Sequence, residues 1–335
     1  HIPGESAEFQ REAPLPLGQT RRSELPGAWR SQIWPGEIPG QLPLAVIGEL
    51  GVDLTKPQGD LAPPSTLDYT AKAGLVLGGS LGRHFGFFGE VEASNHGFEL
   101  EQIFGSAQSL FERWLGESAL NIKVGYFTPD LFAVMPRLQR SRFVALPLSL
   151  ALGRDHFSLE RQTPALELYG LLGGRLKWVV GVVNGIKPTD DVTTRRDFVG
   201  RLQLKLGGPR LDYKQATSAD TAPTLSLGVF TYVGVSVNVP SPPETRFPSE
   251  LYRLGFDARF RVHGLDVLGQ VVLGQDSDPD GQGDSVRHIS YAIGVEYPVL
   301  PWLQPLVRYE EAFIDSGRHP NRRRLVLGLQ TFVRA

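Results

Sequence analysis

The feature that most constrains this chain is a period-two alternation of apolar and polar residues, which recurs from residue 44 to the C-terminus. In the segment 67–77 the odd-numbered positions are Leu, Tyr, Ala, Ala, Leu and Leu, whereas Asp68, Thr70 and Lys72 occupy the alternate face. An extended chain places successive side chains on opposite faces. The pattern therefore predicts strands with one apolar face and one wet face.

The same alternation recurs in many further segments of the chain. They are 45–54, 84–94, 120–126, 165–172, 175–185, 201–206, 224–238, 253–262, 265–274, 288–297, 303–312 and 324–333. Several are longer than the ~5 to 6 residues that are usual in a soluble sandwich. A strand that crosses a bilayer at a tilt needs ~9 to 11 residues. The lengths therefore favour membrane-spanning strands.

No apolar run reaches the ~18 to 20 residues that a membrane helix needs, and the 38 glycines and 26 prolines suit many strands joined by turns. Lipid offers no hydrogen-bond partners, so spanning strands must pair among themselves and close. We predict an all-β, transmembrane, antiparallel up-and-down β-barrel of about 14–16 strands. Gly173-Gly174 and His263-Gly264 are predicted tight turns on one rim, opposite long loops such as 128–163 and 207–223.

The domain organisation is predicted from proline content. Residues 1–43 hold seven prolines and few periodic apolar positions, which indicates an extended Pro-rich N-terminal arm before a barrel at 44–335. The chain does not open on a basic and then apolar leader, so we expect a signal peptide that was removed during export. The predicted location is the outer membrane of a Gram-negative bacterium.

Composition and motifs exclude several function classes. A net charge of −2 with scattered basic residues makes nucleic acid an unexpected partner. Because the chain has no Cys, disulfides, thiolate metal sites and cysteine nucleophiles are excluded. The seven histidines form no HExxH motif, and neither a Gly-x-Ser-x-Gly motif nor a phosphate-binding glycine loop is present. We therefore predict no enzyme and no catalytic residue.

Two short stretches resemble a known family. The run Asn121-Ile-Lys-Val-Gly-Tyr-Phe-Thr-Pro-Asp130 and the run Trp178-Val-Val-Gly-Val-Val-Asn-Gly185 are similar to strands and following loops of the porin O/P-like (phosphate-selective porin-like) family. This resemblance implies a 16-stranded barrel that forms a pore. The chain is short for sixteen strands, and its Phe332 is not the terminal residue, as the last aromatic of such barrels commonly is. Only pore formation is carried over.

Candidate pore-lining residues are the basic side chains on the wet faces of the strands. They are Lys123, Lys177, Arg201, Lys205, Arg259, Arg261 and Arg308. Acidic residues share those faces, which favours salt-bridge networks across the wall. Arg137, Arg140 and Arg142 lie in the long 128–163 loop and form a basic constriction if that loop folds into the lumen. The alternative is a loop that faces solvent or lipopolysaccharide.

The acidic run 276–284 resembles the first half of a calcium loop. Asp276, Asp278, Asp280 and Asp284 occupy its first, third, fifth and ninth positions, and Gly281 permits a sharp turn. The twelfth position is Arg287 instead of the usual glutamate. The alternatives are therefore a Ca²⁺ site and an acidic loop tip whose residues serve turn geometry. No other cofactor is predicted.

The segment 99–115 is ambiguous between helix and strand. Leu100, Ile103, Phe104, Ala107 and Leu110 fall at helical spacing, which favours an amphipathic helix that plugs the barrel or lies at the interface. The alternative is a missed strand, which would raise the count of strands to fourteen.

The leading functional hypothesis is an outer-membrane channel for passive diffusion of small hydrophilic solutes or ions, with a preference for anions. The first alternative is a structural barrel that sheathes a multihaem cytochrome in an electron conduit, with the Pro-rich arm as a strap. The second is a soluble β-sandwich binding module. Expected partners are the lipid bilayer, lipopolysaccharide and small solutes, and the sequence leaves the oligomeric state open.

Overall fold

A computed structural model describes most of the chain after its first 43 residues. The described residues are 44–55, 66–81, 84–94, 97–131, 145–150, 152, 159, 162–184, 196–208, 210, 222–238, 247–279, 282–300 and 303–331. The predicted N-terminal arm lies outside them and stays a prediction. Within these ranges the chain forms strands and two one-turn helices.

The strands follow one another along the chain. They are β1 (Leu44–Thr55), β2 (Thr66–Leu81), β3 (Phe85–Ser94), β4 (Gly97–Ala107), β5 (Asn121–Phe127), β6 (Thr163–Leu172), β7 (Leu176–Asn184), β8 (Arg196–Gly207), β9 (Thr224–Asn238), β10 (Phe247–Val262), β11 (Leu265–Asp276), β12 (Val286–Glu296), β13 (Leu303–Asp315) and β14 (Arg322–Thr331). Helix α1 (Glu112–Leu115) follows β4, and helix α2 (Leu146–Ser149) lies between β5 and β6.

All of these strands belong to one 14-stranded sheet in which each strand pairs with the next in the chain. Every pairing is antiparallel. This up-and-down topology and the count of strands confirm the predicted fold class. Over the described ranges no pairing joins β1 to β14.

Tight turns mark one end of the sheet, here called rim B; the opposite end is rim A. Gly173 and Gly174 (φ 59° and 65°) join β6 to β7, and His263 and Gly264 (φ 47° and 85°) join β10 to β11. Primed hairpin turns require such positive φ values. The two tight turns are confirmed. The long β8–β9 connection also lies at rim B, so the predicted separation of short turns from long loops holds only in part.

Residues Gly97–Ala107 form strand β4. The predicted amphipathic helix in the segment 99–115 is therefore wrong for these residues, and the alternative prediction of a further strand is confirmed. A register shift between Glu90 and Val91 leaves Glu101 as an extra residue opposite β3. The shift changes the parity of the alternation, as β-bulges do. Leu100 and Ile103 therefore both lie on the exposed face, 49% and 53% exposed, although they are three residues apart.

The two faces of the sheet are inverted relative to those of a water-soluble protein. In β12, His288 and Ser290 are buried while Ile289 and Ile293 are exposed. Apolar residues are exposed in the same way on most of the other strands. Examples are Leu75, Phe98, Val124, Leu166, Val180, Leu202, Leu227, Phe256, Leu273, Val307 and Leu327. An apolar surface of this extent marks contact with lipid or a partner, and it excludes the soluble sandwich. No helix in the described ranges is long and apolar enough to cross a membrane.

The segment between β5 and β6 lies against the inner face of the sheet at two separate places. Near β5, the carbonyl of Leu131 accepts a hydrogen bond from Arg201 on β8. Further along, α2 contacts β11, β12 and β13, and Leu150 and Leu152 pack with Ile314 and its buried neighbours. The same segment contacts both β8 and β13, which are five strands apart, because the sheet curves around it.

Candidate functional site in the barrel lumen

The predicted inward-facing cations all lie on the inner face of the sheet. Lys123, Lys177, Arg201, Lys205 and Arg308 are buried there, whereas Arg259 is partly exposed and the Arg261 side chain is half exposed. Arg253 and Arg324 face inward as well, on the wet faces that the alternation predicts, but they were not among the predicted pore-lining residues. The same alternation that identified the others contains the signal for these two.

Three cations of β5–β8 each pair with a single carboxylate. Lys123 Nζ lies 2.6 Å from Glu167 Oε2, and Lys177 Nζ lies 2.5 Å from Asp130 Oδ2. Arg201 donates through both terminal nitrogens to Asp257, at 2.5 and 2.9 Å. All of these side chains are at most 8% exposed. Buried ions this close satisfy each other's charge, so these three pairs contribute no excess charge.

The same ion pairs fasten the inner segment to the wall. The backbone N–H of Asp130 donates to Glu167 Oε1 at 2.8 Å, and Arg201 Nη1 donates to the Leu131 carbonyl at 2.7 Å. Although burial pushes the pKa of the Asp130 carboxyl upward, the ammonium groups of Lys177 and Lys123 hold that pKa below its usual value. Asp130 is therefore a charged anchor, which the sequence analysis did not identify.

An apolar cluster lies between this segment and the wall. The cluster contains Phe127 at the end of β5 and three residues of the segment, Leu131, Leu148 and Leu159, all of them buried. They belong to one cluster with wall residues from β3 to β12, which are Phe88, Phe104, Ala165, Val183, Val199, Phe230, Tyr232, Leu251, Val272 and Ala292. Lys123 Nζ lies 4.0 Å from the centre of the Phe127 ring. The segment narrows the lumen and is packed in place.

On β10–β14 two carboxylates are each shared by two guanidinium groups. Asp266 accepts from Arg259 Nη2 at 2.5 Å and from Arg261 Nε at 3.1 Å. Glu310 pairs with Arg308 through one oxygen and with Arg324 Nη2, at 2.5 Å, through the other. Each trio carries one more positive than negative charge. Arg259, Arg261 and Arg324 are 20%, 51% and 33% exposed, so that charge is accessible.

Two further inner-face contacts near rim A escaped the sequence analysis. Arg253 Nη2 donates to both oxygens of Asp276, at 2.8 and 3.1 Å. The Asp197 carboxylate, fully buried, accepts from the Tyr232 hydroxyl and from the Val235 backbone N–H. Both contacts depend on the register between strands, which cannot be derived from the sequence alone.

The predicted constriction residues Arg137, Arg140 and Arg142 lie outside the described residues. The described residues that flank them, Asp130 and Leu131 on one side and α2 on the other, contact the inner wall. The condition for the constriction, that the loop folds into the lumen, is met at both flanks. The role of the three arginines stays a prediction.

The described members of the calcium-loop motif engage other partners. Asp276 pairs with Arg253, and Asp278 Oδ1 accepts from the backbone N–H groups of Gln282 and Gly283, at 2.7 and 3.0 Å. Asp284 is exposed and lies 3.5 Å from Arg318, while Asp280 is outside the described residues. Over the ranges described, no group of three potential ligands comes together. These contacts suit an acidic loop tip, and Ca²⁺ binding stays a prediction.

Comparison with known proteins gave matches in structure only. No family model matches the sequence, and no curated protein matches it. An anion-selective porin from Comamonas acidovorans has a similar structure, with a TM-score of 0.55 at 15% identity over 85% of this chain and 83% of that one. This chain has a porin-like fold. OmpF of Salmonella typhi, solved with daunomycin, aligns at 12% identity and a TM-score of 0.48 over 86% of this chain and 97% of its own. OprB of Pseudomonas putida aligns at 11% identity and 0.47 over 86% and 93%.

Proposed function

We propose that this protein is a passive channel for small hydrophilic solutes or ions in a Gram-negative outer membrane. The observation that carries the proposal is the inverted sheet, with a charged inner face inside an apolar outer face on a porin-like fold. A polar wall lowers the free energy that a hydrated solute needs to cross hydrocarbon. No bond is made or broken in this function.

A preference for anions follows from the unequal pairing of charges. Together with Glu296, which is the register partner of Asp266 and interacts with Arg308, the trios at Asp266 and Glu310 hold four positive and three negative charges, so one positive charge is left on this part of the wall. Lys123, Lys177 and Arg201 are neutralised one to one and contribute no excess. An excess of fixed positive charge raises the local concentration of anions in a narrow passage. The anion-selective porin named above is consistent with this choice.

The segment between β5 and β6 supports a narrow passage. Its flanks pack against the inner face at β8 and at β11–β13, so solutes have to pass beside it. Arg137, Arg140 and Arg142 belong to the same segment, and we retain them as the proposed constriction. Small solutes fit this arrangement better than large ones.

The sheath for a multihaem cytochrome receives less support. A sheath needs an inner wall that is bare in the isolated chain. Here the inner residues of β5–β8, β12 and β13 are mostly buried by the chain itself, including Glu167, Arg201, Ser290 and Glu310. A cytochrome would have to displace the packed segment first.

Three further parts of this proposal are membership of the porin O/P-like family, removal of a signal peptide and contact with lipopolysaccharide. Of the two stretches that carry the resemblance, the first begins in β5, and the second runs along β7 to its last residue, Asn184. The bilayer is the proposed partner of the apolar outer face.

Single-channel recording in a planar bilayer tests the proposal. We expect steady conductance of the purified protein and a reversal potential under a KCl gradient that indicates anion preference. The double variant Arg259→Gln/Arg261→Gln is expected to lower that preference. Arg318→Gln, which removes an exposed arginine near rim A, is the matched control and leaves it unchanged.

Two results would contradict the proposal. A cation preference in the wild-type protein would remove the assigned role of the shared carboxylates. A folded barrel without conductance would remove the channel itself, and haem absorbance in the purified sample would then favour the sheath.

A further inference from the structure

A groove of about 730 Å³ lies on the outer face of β9–β13, close to rim A. Its apolar floor is formed by Leu254, Leu273, Ile289 and Phe313, each 40–41% exposed. Arg253, Gly274, His288 and Ile314 also border it, but they alternate with the floor residues, so only their backbone can reach it. The groove therefore opens away from the lumen.

The groove sits at the edge of the apolar surface. Leu254, Leu273, Ile289 and Phe313 are register neighbours across four strands. The next row toward rim A consists of Tyr252, Gln275, Arg287 and Asp315, which are polar. An apolar row followed at once by a polar row is the profile of the boundary between acyl chains and headgroups.

Arg287 differs from the arginines of the lumen because it forms no ion pair with any residue in the described ranges. It is exposed and borders the groove. A guanidinium at this depth presents forked donors to a phosphate while the floor accepts an acyl chain. Asp315, its neighbour on β13, adds a carboxylate that a phosphate would have to tolerate.

A second cation lies on the same outer face. Arg323 on β14 is 70% exposed, and its Nε donates to Glu311 Oε1 at 2.5 Å. The other oxygen of Glu311 accepts from the hydroxyls of Tyr291 and Tyr309, at 2.5 and 3.0 Å. These contacts hold Arg323 in the row of Tyr291 and Glu311, farther from rim A than the floor, so Arg287 is the cation at the headgroup boundary.

We propose that this groove binds lipopolysaccharide, with one acyl chain on Leu254, Leu273 and Ile289 and a lipid A phosphate on Arg287. We assign the groove to the outer leaflet because it lies near rim A, which carries the longest connection of the chain, residues 128–162. In outer-membrane barrels the rim with the longer loops is extracellular. The proposal rests on the outer face contacting lipid and does not depend on conductance, so a silent barrel would leave it standing.

Titration of lipid onto the detergent-extracted protein, followed by native mass spectrometry, tests the site. The probes are bisphosphorylated lipid A, dephosphorylated lipid A and phosphatidylglycerol. Arg287→Gln is expected to weaken lipid A binding about fivefold, because one cation near a membrane surface contributes about 1 kcal/mol. Leu273→Trp fills the floor and is expected to weaken all acylated probes, whereas Asp315→Asn strengthens binding of the phosphorylated ones.

Matched controls isolate the groove. Leu204→Trp adds the same bulk to the outer face at β8, and Arg113→Gln removes an exposed arginine near rim B, and both are expected to bind as the wild type does. If Leu273→Trp does not fold, Leu254→Trp replaces it. Unchanged lipid A binding in Arg287→Gln and in the tryptophan variant would overturn the site. Equal binding of phosphatidylglycerol would overturn the assignment to lipopolysaccharide.

Discussion

Two parts of the inner wall use the same residue types in different ways. On β5–β8, Lys123, Lys177 and Arg201 each have one carboxylate, and the side chains of these pairs are at most 8% exposed. On β10–β14 Asp266 and Glu310 are each shared by two arginines, and exposure reaches 51% at Arg261. The first arrangement is closed to water and the second is in contact with it.

This difference indicates that the two parts of the charged inner wall have different functions. Buried pairs are costly to break, because an ion that loses its partner stays in a medium of low polarity. Carboxylates that two partly exposed arginines share tolerate the loss of one partner, and the exposed arginines leave excess charge for a passing ion. We therefore assign anchoring to the β5–β8 wall and selectivity to the β10–β14 wall.

The largest expected effect is that of Arg201→Met. The substitution leaves Asp257 buried without its cation and the Leu131 carbonyl without its donor. We expect the free energy of unfolding to fall by about 3–5 kcal/mol, measured by urea titration of the protein in lipid vesicles. The double variant Arg201→Met/Asp257→Leu removes both charges and is expected to recover much of the loss. A single variant as stable as the wild type would break the assignment of anchoring to this wall.

Asp130→Asn is expected to have an intermediate effect. The amide keeps the shape of the side chain but leaves Lys177 without a carboxylate at 2.5 Å. We expect a loss of about 1.5–3 kcal/mol and noisier single-channel current, because the segment is released at one flank. The lowered pKa of Asp130 means that the wild-type contribution is complete above the usual carboxyl pKa and is lost as pH falls through the lowered value.

The variant should therefore differ from the wild type at neutral pH and converge with it in strong acid. Asn184→Asp is a useful control, because it adds a carboxylate on β7 at the side chain that accepts from the exposed Arg196. A difference between Asp130→Asn and wild type that persists unchanged into strong acid would show that the carboxylate charge is not the anchor.

Much of the fold could be predicted from the sequence because alternation is a local property. The faces of β12 follow from the alternation of His288, Ile289, Ser290 and Tyr291 alone. The failure at β4 has an equally local cause: the register shift beside Glu90 places Leu100 and Ile103 on one face, and the resulting spacing imitates a helix. A bulge depends on the partner strand, which a single strand does not reveal.

The site could be predicted only as a set of inward cations. Which carboxylate each cation meets depends on register and on the path of the inner segment. Lys177 and Asp130 are 47 residues apart in the chain, and Arg201 and Asp257 are 56 apart. The sharing of Glu310 by Arg308 and Arg324 likewise requires β13 and β14 to be paired in one particular register.

The smallest expected effect, and the sharpest test of the comparison, is that of Arg324→Gln. Glu310 keeps Arg308 as its partner, so we expect a loss of less than about 1 kcal/mol, against the larger loss for Arg201→Met. The trio becomes neutral, so the reversal potential under a KCl gradient should shift toward lower anion preference. Glu310→Gln provides the opposite change, because it leaves two guanidiniums without a carboxylate and should raise anion preference. If both substitutions moved the reversal potential in the same direction, the excess charge of the trio would not be what the passing ion senses.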